Sequence, residues 1–170
     1  MIVSIIAAIS RNKALGNQGN LIYHLPADMK RFRKMTTGHT VIMGRKTYDS
    51  LPNGPLPNRR NIVISKTLKD GDIPGVEIAN DVMEAILKAN PTEPNEEVFI
   101  IGGASVYQQA LDLKLVDNIY LTVVDDIAKE ADVFFPEIPD EYDIVWGECH
   151  SKDENNKYDY TFEDWKRIKK

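Results

Sequence analysis

The sequence predicts the α/β fold class: a single domain with a mixed, mainly parallel sheet of about eight strands, helices on both faces and a C-terminal antiparallel hairpin. Short segments rich in β-branched and aromatic residues alternate with helical segments along most of the chain, which is typical of parallel strands joined by helices. The last segment instead alternates apolar and polar residues, which is typical of an antiparallel strand with one face in water.

The composition fits one globular domain over residues 1–170, because 42% of the residues are hydrophobic, 28% are charged and no linker or repeat divides them. The formal net charge of −5 gives no overall attraction for nucleic acid or an anionic membrane, so neither is expected as a partner. The single cysteine, Cys149, and the scattered histidines have no metal-ligand spacing, so no metal site is expected. A monomer is the default expectation, because no large apolar stripe is left once the core is assigned.

The apolar start of the chain, MIVSIIAAIS, is predicted to be a buried strand. It has no basic leader before the apolar run and is too short to cross a bilayer, which argues against a signal peptide and against a membrane span. We therefore expect a cytoplasmic location.

The other elements are predicted from short apolar runs and from the residues that begin and end helices. Pro26 suits a first helical turn, and Asn80 is a suitable N-cap residue. Strands are predicted over 2–9, 39–43, 61–65, 75–79, 97–101, 118–126, 132–135, 142–149 and 157–168. Helices are predicted over 26–35, 45–51, 81–89 and 104–113.

The C-terminal hairpin is predicted from the stretch KYDYTFEDW. Tyr158, Tyr160 and Phe162 alternate with polar residues, so their side chains share one face of a strand. This strand is predicted to pair with 142–149 and to form an antiparallel edge of the sheet.

Two strand-to-helix junctions have features of an anion site. In the first, the segment 44–47 (Gly-Arg-Lys-Thr) brings free backbone N–H groups, two cations and a hydroxyl to the start of a helix. In the second, Gly102 and Gly103 follow a buried strand, and paired glycines let a ligand approach the backbone closely. Each junction alone is also explained as a polar or tight turn, and the G-x-G-x-x-G fingerprint is absent from the second. Two of them in one small sheet favour a dinucleotide that reaches both.

Two further polar stretches flank the strand predicted at 61–65. Arg59 and Arg60 precede it, and their guanidinium groups suit a carboxylate or a phosphate, with an exposed basic corner as the alternative. Ser65, Lys66 and Thr67 end it with two hydroxyls and a cation, which suit a phosphate monoester or form a polar turn.

Asp28 is the acid with the most unusual surroundings, in the stretch LIYHLPADMKRF. It falls in the first turn of a predicted helix, where an acid complements the helix dipole. Met29 and Phe32, however, make the neighbouring face of that helix apolar. A carboxylate there is desolvated, so its pKa rises and it suits a hydrogen bond to a flat cationic or amidine-like heterocycle. Both interpretations stay open on these residues alone.

Taken together and in this order, a series of stretches over nearly the whole chain resembles the dihydrofolate reductase family. These stretches are SIIAAIS…ALG, LPADMKRF, TVIMGRKTYDSL, PLPNRRNIVIS, VFIIGGASVY, IYLTVV and DVFFP. The resemblance implies an oxidoreductase of one-carbon metabolism and tetrahydrofolate biosynthesis that reduces 7,8-dihydrofolate to 5,6,7,8-tetrahydrofolate with NADPH. A hydride passes from the nicotinamide to the pterin, and the adjacent ring nitrogen gains a proton. The resemblance also implies that antifolate inhibitors bind.

For the substrate, the resemblance implies that Asp28 binds the amino group and ring N–H of the pterin. It further implies that Thr122 hydrogen-bonds this carboxylate and that Arg59 pairs with the carboxylate of the glutamate tail. The catalytic candidates are therefore Asp28, Thr122 and Tyr23. The positions that match the pocket lining for the pterin and aminobenzoyl groups are Ile6, Ala8, Met29, Phe32, Leu51 and Leu56.

For the cofactor, the resemblance implies three groups of residues, together with a mobile loop over 10–24 that closes over the nicotinamide. The nicotinamide and ribose side is matched by Ala8, Leu15, Gly16 and Asn20. The pyrophosphate and adenosine side is matched by Gly44, Arg45, Lys46 and Thr47, with Ser65 and Lys66 nearby. The second phosphate loop, whose Gly-Gly peptide is cis in the family, is matched by Gly102, Gly103, Ala104, Ser105, Val106 and Tyr107.

The chain departs from the family pattern at two places. Ile22 and Tyr23 stand where members usually have Pro-Trp, and Tyr23 keeps an aromatic body with a polar tip that suits a water contact. Ser105 stands where some members carry an arginine at the 2′-phosphate site, which leaves more of that task to Arg45 and Lys66.

Two other functions compete with this interpretation. One is a pyrimidine reductase of riboflavin synthesis with a similar fold, which has no need for Asp28 and Arg59 together in this context. The other is a nucleotide-binding module without catalytic activity.

Overall fold

The computed structural model describes residues 1–17, 20–21, 23–89 and 96–168. Its helices are α1 (Pro26–Thr36), α2 (Arg45–Asp49), α3 (Val82–Ala89) and α4 (Ala104–Asp112). Its strands are β1 (Ile2–Ser10), β2 (Ala14–Asn17), β3 (Asn20–Leu21), β4 (Thr40–Gly44), β5 (Arg60–Ile64), β6 (Val76–Ala79), β7 (Glu97–Gly102), β8 (Asn118–Val124), β9 (Val133–Phe134), β10 (Tyr142–His150) and β11 (Tyr160–Arg167). Within these described ranges, no helix combines the length and the apolar character needed to cross a membrane.

The main sheet has eight strands in the order β10-β11-β8-β1-β7-β4-β5-β6. β1 pairs in parallel with β7 and β8, and β4 pairs in parallel with β5 and β7. β11 pairs antiparallel with β8 and with β10, so the C-terminal hairpin forms one edge. The predicted α/β class, the mixed sheet and the hairpin are therefore confirmed.

Helices cover both faces of the main sheet, because neighbouring residues along a strand point to opposite sides. Ile5 of β1 and Ile42 of β4 belong to the core cluster that includes buried residues of α3 and α4. The next residue on β1, Ile6, and the preceding residue on β4, Val41, belong to the opposite cluster, against which Phe32 of α1 packs. Each central strand thus buries both faces, as the apolar start of the chain predicts.

A small second sheet, in the order β3-β2-β9, was not predicted. Only two residues of the segment predicted as a strand at 132–135 form β9, and they pair with β2 in this small sheet. Strands of two to four residues are too short to show an alternating pattern, so their pairing depends on contacts made by the rest of the fold.

Helix α3 begins one residue later than predicted, and its N-cap is Asp81 rather than Asn80. Asp81 Oδ1 accepts a hydrogen bond from the N–H of Glu84 at 2.8 Å. Glu84 Oε2 in turn accepts one from the N–H of Asn80 at 3.2 Å, so two N–H groups at the helix start are satisfied reciprocally. The helix ends at Ala89, the last residue of the predicted range.

Candidate active site

One strand and one helix bring the predicted acid and threonine together. Asp28 lies in the first turn of α1, and Thr122 lies within β8, where it is 2% exposed. Thr122 Oγ1 donates a hydrogen bond to Asp28 Oδ1 at 2.6 Å. The contact that the resemblance implies between these side chains is therefore present.

The environment of Asp28 favours its neutral form. Burial raises the pKa of the Asp28 carboxyl group above its usual range, while the hydrogen bond from Thr122 and the positive charge of Arg31 oppose part of that rise. The direction agrees with the expectation from the apolar flanks. An acid with such a raised pKa is suited to taking up and releasing a proton closer to neutral pH than an exposed carboxyl group.

The start of α1, which positions Asp28, is fixed by the loop between β10 and β11. Leu25 precedes the helix and provides no side-chain cap. Instead, Oδ1 of the buried Asn156 accepts a hydrogen bond from the N–H of Ala27 at 3.1 Å. Asp153 holds Asn156 in place, because its Oδ1 accepts from the backbone and side-chain N–H groups of Asn156 at 2.7 and 3.1 Å. Sequence reasoning missed Asn156, because no local pattern connects it to a helix so far away in the chain.

The predicted apolar lining is divided between the sheet, α1 and the segment after α2. Ile6 is buried in the cluster against which Phe32 packs. Ala8 is half-buried and lies opposite Thr122 in the register of β1 and β8. Met29 is 51% exposed and is therefore not part of the core. The other predicted lining residues that pack against the same cluster are Leu51 and Leu56.

Arg59 is oriented by hydrogen bonds to neutral groups. Its Nε donates to the carbonyl oxygen of Pro57 at 2.9 Å, and its Nη1 donates to Thr36 Oγ1 at 3.0 Å. Burial and the nearby charge of Arg33 lower the pKa of Arg59. Among the described side chains, no carboxylate pairs with Arg59, so its guanidinium group is positioned but not neutralised.

The residues next to Arg59 have structural contacts. Arg60 forms a bidentate ion pair with Glu77, at 2.5 and 2.7 Å. Of the two interpretations given for this arginine, its contacts therefore match the exposed surface position and not a ligand site. Asn61 is buried, and its side-chain amide accepts from the N–H of Leu56 and donates to the carbonyl oxygens of Leu56 and Arg59, each at 3.0 Å. The amide of Asn61 therefore fixes the loop that carries Arg59.

The two glycine junctions lie side by side where β4 and β7 end. Met43 and Gly102 are partners in the register of these strands. A Cβ atom on Gly44 would lie 3.2 Å from Val106 Cγ2, and one on Gly102 would lie 3.0 Å from Thr47 Oγ1. Gly102 also has a φ of +142°, which residues with a side chain rarely adopt. Its peptide bond to Gly103 is cis, as the resemblance implies. The absence of a side chain at both glycines lets the two turns lie this close together.

The groups around these junctions fit a phosphate. The N–H groups at the start of α4 follow Gly103 and receive no side-chain cap, and the helix dipole there favours an anion. Lys46 is exposed, and Arg45 forms a surface ion pair with Asp49 at 3.1 Å. Thr47 adds a hydroxyl between the two turns.

Tyr107 connects α4 to the acid-bearing part of the site. It is 2% exposed, and its hydroxyl donates to the carbonyl oxygen of Ile6 at 2.9 Å. Burial raises the pKa of Tyr107, and the negative charge of Asp28 adds to that rise, so its hydroxyl stays protonated. The side chain thus links the second glycine junction to β1.

The hydroxyl group of Ser65 stabilises a local turn. It is buried, and its Oγ accepts hydrogen bonds from the N–H groups of Thr67 and Leu68 at 3.2 and 3.1 Å. Lys66 is exposed beside it, and Ser105 accepts a hydrogen bond from Gln109 Nε2 at 3.0 Å. Of the polar turn and phosphate interpretations for Ser65, its contacts therefore match the turn.

Apart from Ala8 of β1, the residues predicted beside the nicotinamide lie in the small sheet. Gly16 is buried and pairs with Leu21 of β3 and with Val133 of β9. Leu15 is half-buried and packs against the main core, and the backbone of Asn20 belongs to β3. Residues 18, 19 and 22 of the predicted mobile loop lie outside the described residues.

Tyr23 is engaged by an acid other than Asp28. Its hydroxyl donates to Asp126 Oδ2 at 2.7 Å, and its ring packs edge-on against Tyr158 with centroids 5.3 Å apart. Burial and Asp126 both raise the pKa of Tyr23. Sequence reasoning missed Asp126, because an acid in a polar turn after β8 gives no local signal of this contact.

This fold and site place the chain in the class of α/β oxidoreductases that bind a dinucleotide beyond the carboxyl ends of a parallel sheet. The profile of a family described as dihydrofolate reductase matches residues 2–167. On this evidence, the chain belongs to the dihydrofolate reductase family. The family uses NADPH, and the chain is accordingly an NADPH-dependent oxidoreductase.

Several relatives are similar to the chain over most of its length. The dihydrofolate reductase of Bacillus subtilis is 36% identical to this chain, and the match covers 94% of this chain and 91% of the relative. That of Haemophilus influenzae is 38% identical, with 95% of this chain and 96% of the relative covered. A solved structure of dihydrofolate reductase from Enterococcus faecalis, complexed with NADP(H) and RAB-propyl, has a TM-score of 0.88 at 30% identity and covers 99% of this chain and 97% of its own.

Proposed function

We propose that the chain reduces 7,8-dihydrofolate to 5,6,7,8-tetrahydrofolate with NADPH, in one-carbon metabolism. The observations that carry this proposal are the half-buried Asp28 carboxyl group, which accepts a hydrogen bond from Thr122, and the paired glycine junctions where β4 and β7 end. Family membership supports the reaction, and the chemistry of these side chains supports the assignment of roles.

Asp28 binds the amino group and the ring N–H of the pterin in this proposal. Thr122 occupies part of the capacity of Oδ1 as an acceptor, which fixes the plane of the carboxyl group and directs its remaining lone pairs toward the substrate. Because burial raises its pKa, Asp28 takes up a proton more readily than an exposed acid. It supports protonation of the reduced ring nitrogen through water, since it does not contact that nitrogen.

Arg59 binds the carboxylate of the glutamate tail. Thr36 and Pro57 already orient its guanidinium group, so little side-chain freedom is lost when the tail binds. The apolar side chains assigned to the wall of the pocket receive the pterin and aminobenzoyl rings. The residues assigned to that wall are Ile6, Ala8, Met29, Phe32, Leu51 and Leu56.

NADPH, when bound, supplies the hydride. The uncapped start of α4 and the Thr47 hydroxyl would donate hydrogen bonds to its pyrophosphate, and Gly102 lets Thr47 lie against the second turn. Lys66 and Arg45 provide positive charge for the 2′-phosphate, because Ser105 has none. The nicotinamide side is assigned to Ala8, Leu15, Gly16 and Asn20.

In this proposal, Tyr23 acts indirectly and does not contact the substrate. Its hydroxyl is already donated to Asp126, so it steadies the segment that leads into α1. An antifolate that carries an amidine-like ring edge is proposed to bind the same Asp28 carboxylate, in competition with the pterin.

One assay tests the proposal against both rivals. Purified protein is mixed with dihydrofolate and NADPH, or with dihydrofolate and NADH, and the loss of reduced-cofactor absorbance is followed. We expect turnover with dihydrofolate that is faster with NADPH. Parallel mixtures with a pyrimidine substrate and a fluorescence titration with NADPH separate the rivals. Binding of NADPH without turnover of either substrate would indicate a nucleotide-binding module, and turnover of the pyrimidine alone would indicate the riboflavin-pathway rival.

Replacing the acid tests its role. We expect Asp28→Asn to lower turnover of dihydrofolate by about 10²–10⁴-fold near neutral pH, the usual scale of lost acid–base assistance. Binding of NADPH, measured by fluorescence titration, should be unchanged, because the cofactor site lies at the glycine junctions. Turnover near the unmodified level at pH 7 would refute the role of Asp28.

A further inference from the structure

Arg31 is fixed close to the acid by contacts with β10 and β11. Its Nη2 donates to Asp164 Oδ1 at 2.6 Å, and the two side chains are only 17% and 23% exposed. Its guanidinium carbon lies 4.5 Å from the centroid of the Phe162 ring and 5.5 Å from that of Trp146. A guanidinium group that is paired with a carboxylate and packed on aromatic rings has little freedom to move.

The spacing in α1 gives this arrangement a consequence for Asp28. Residues three apart in a helix are neighbours on its surface, so Asp28 and Arg31 are placed for a direct ion pair. In the described structure, Arg31 instead forms its ion pair with Asp164, and Asp28 receives its hydrogen bond from Thr122. Asp164 therefore keeps the guanidinium group away from the carboxyl group while its positive charge remains nearby.

The other groups that face Asp28 are uncharged near neutral pH. Tyr107 of α4 and Tyr160 of β11 interact with Asp28 electrostatically, and burial raises the pKa of both phenols. Thr122 does not titrate. Among the described residues that act on Asp28, Arg31 is therefore the charged one, and its charge favours the carboxylate against the effect of burial.

We propose that Arg31 is a positioning residue of the active site, a fixed positive charge that sets the pH range of turnover through Asp28, and that Asp164 prevents it from closing onto the carboxylate. This inference rests on the proposed role of Asp28. A freed Arg31 would neutralise the carboxylate and occupy the oxygens that the pterin needs. The Arg31–Asp164 pair thus keeps a positive charge near Asp28 while leaving the carboxylate oxygens accessible to substrate.

Two variants test the inference because they should act in opposite directions. Arg31→Gln removes the positive charge, so we expect the midpoint of the pH profile of hydride transfer to rise by about 0.5–1 pH unit, the scale of one nearby charge at a partly exposed site. Asp164→Asn leaves that charge uncompensated and frees it to approach Asp28. We therefore expect its midpoint to fall and its KM for dihydrofolate to rise by about tenfold, with a smaller change in kcat.

Controls separate this effect from damage to the fold. Lys30→Gln removes an exposed charge from the same helix and should leave the pH midpoint unchanged. Arg31→Lys keeps the charge and should restore the midpoint, even where the lost stacking lowers stability. Titration of the Asp28 carboxyl carbon by NMR, assigned by comparison with Asp28→Asn, reports the shift without relying on turnover.

The outcomes distinguish this inference from the proposed function. If the unmodified protein reduces dihydrofolate and Asp28→Asn does not, while Arg31→Gln and Asp164→Asn shift the midpoint in the same direction or not at all, the inference is overturned and the function stands. If the unmodified protein fails to reduce dihydrofolate, the function is overturned. In that case the NMR titration still decides whether Arg31 controls the ionisation of Asp28.

Discussion

At the scale of single residues, the site depends on a carboxyl group stabilised by a neutral partner. An ion pair would offset the cost of burying Asp28 more fully, but it would also fix the ionised form and block the carboxylate oxygens. A hydrogen bond from Thr122 satisfies one oxygen and leaves the acid free to exchange a proton. Burial raises the pKa of Asp28, and the hydrogen bond from Thr122 offsets only part of that rise.

Arg59 presents the opposite case, a cation positioned without a described carboxylate. We expect Arg59→Ala to weaken dihydrofolate binding by about 1.5–3 kcal/mol, the scale of a hydrogen bond to a charged group. Isothermal titration with dihydrofolate and with a truncated pterin lacking the glutamate tail measures this. The neighbouring variant Arg60→Ala is the matched control, because Arg60 is paired with Glu77. An equal loss for both ligands would show that Arg59 does not bind the tail.

At the scale of elements, the β4–α2 and β7–α4 turns form one unit although they are distant in the chain. Parallel pairing of β4 with β7 places their ends together, and glycine at both ends lets the turns touch. The start of α4, without a side-chain cap, then faces Thr47 of the other turn. Neither turn has these properties alone, which explains why each one by itself left the phosphate interpretation open.

The contact between the two turns is tested by adding one methyl group. Gly102→Ala must adopt a φ of +142° and place its Cβ 3.0 Å from Thr47 Oγ1. We expect Gly102→Ala to weaken NADPH binding by at least about tenfold. We also expect it to lower the free energy of unfolding by more than about 1–2 kcal/mol, which is the cost of a left-handed φ alone. Gly71→Ala is the control, since Gly71 has a φ of +94° and open space around it. Fluorescence titration and urea unfolding measure both, and equal effects of the two variants would contradict the role of the turn contact.

At the scale of the whole molecule, the sheet order gathers residues from most of the chain into one site. β1 lies between β7 and β8, and β4 lies next to β7, so strand ends from four parts of the chain meet. The loop between β10 and β11 adds Asn156, which fixes the start of α1 from the edge of the sheet. The site and the hydrophobic core therefore depend on the same strand pairing.

The buried acid also affects the stability of the whole fold. The pKa of Asp28 is raised in the folded protein. The contribution of this carboxyl group to the free energy of unfolding is therefore fully present below the unfolded pKa of about 3.9, and it is lost as the pH rises through the folded value. The Asp28→Asn variant has no carboxyl group at this position, so it does not lose stability in this way as the pH rises. We expect the variant to have a higher free energy of unfolding than the unmodified protein at pH 7–8, with the difference shrinking as the pH approaches about 4.

Urea unfolding of both proteins across that pH range measures the difference. Lys30→Gln, on the exposed face of α1, serves as the control for a change of charge in the same helix. A difference between Asp28→Asn and the unmodified protein that does not change with pH would contradict the linkage to ionisation.

The sequence by itself determined the α/β class, the four helices, the antiparallel end and the nature of the acid, because these depend on local patterns. Periodic apolar residues indicate strands and helices, and apolar neighbours in one helical turn indicate a desolvated carboxyl group. Even the shift of the cap from Asn80 to Asp81 is a change of one residue within the right helix.

Tertiary structure alone decided which of the open alternatives applied. Ser65 makes a turn while Arg59 stays unneutralised, and Tyr23 donates to Asp126 rather than to a group near Asp28. These outcomes depend on side chains brought together by strand pairing from remote parts of the chain. A hydrogen bond between such residues has no signature in either local sequence, which is the physical reason that Asn156 and the Arg31–Asp164 pair emerged only from the folded arrangement.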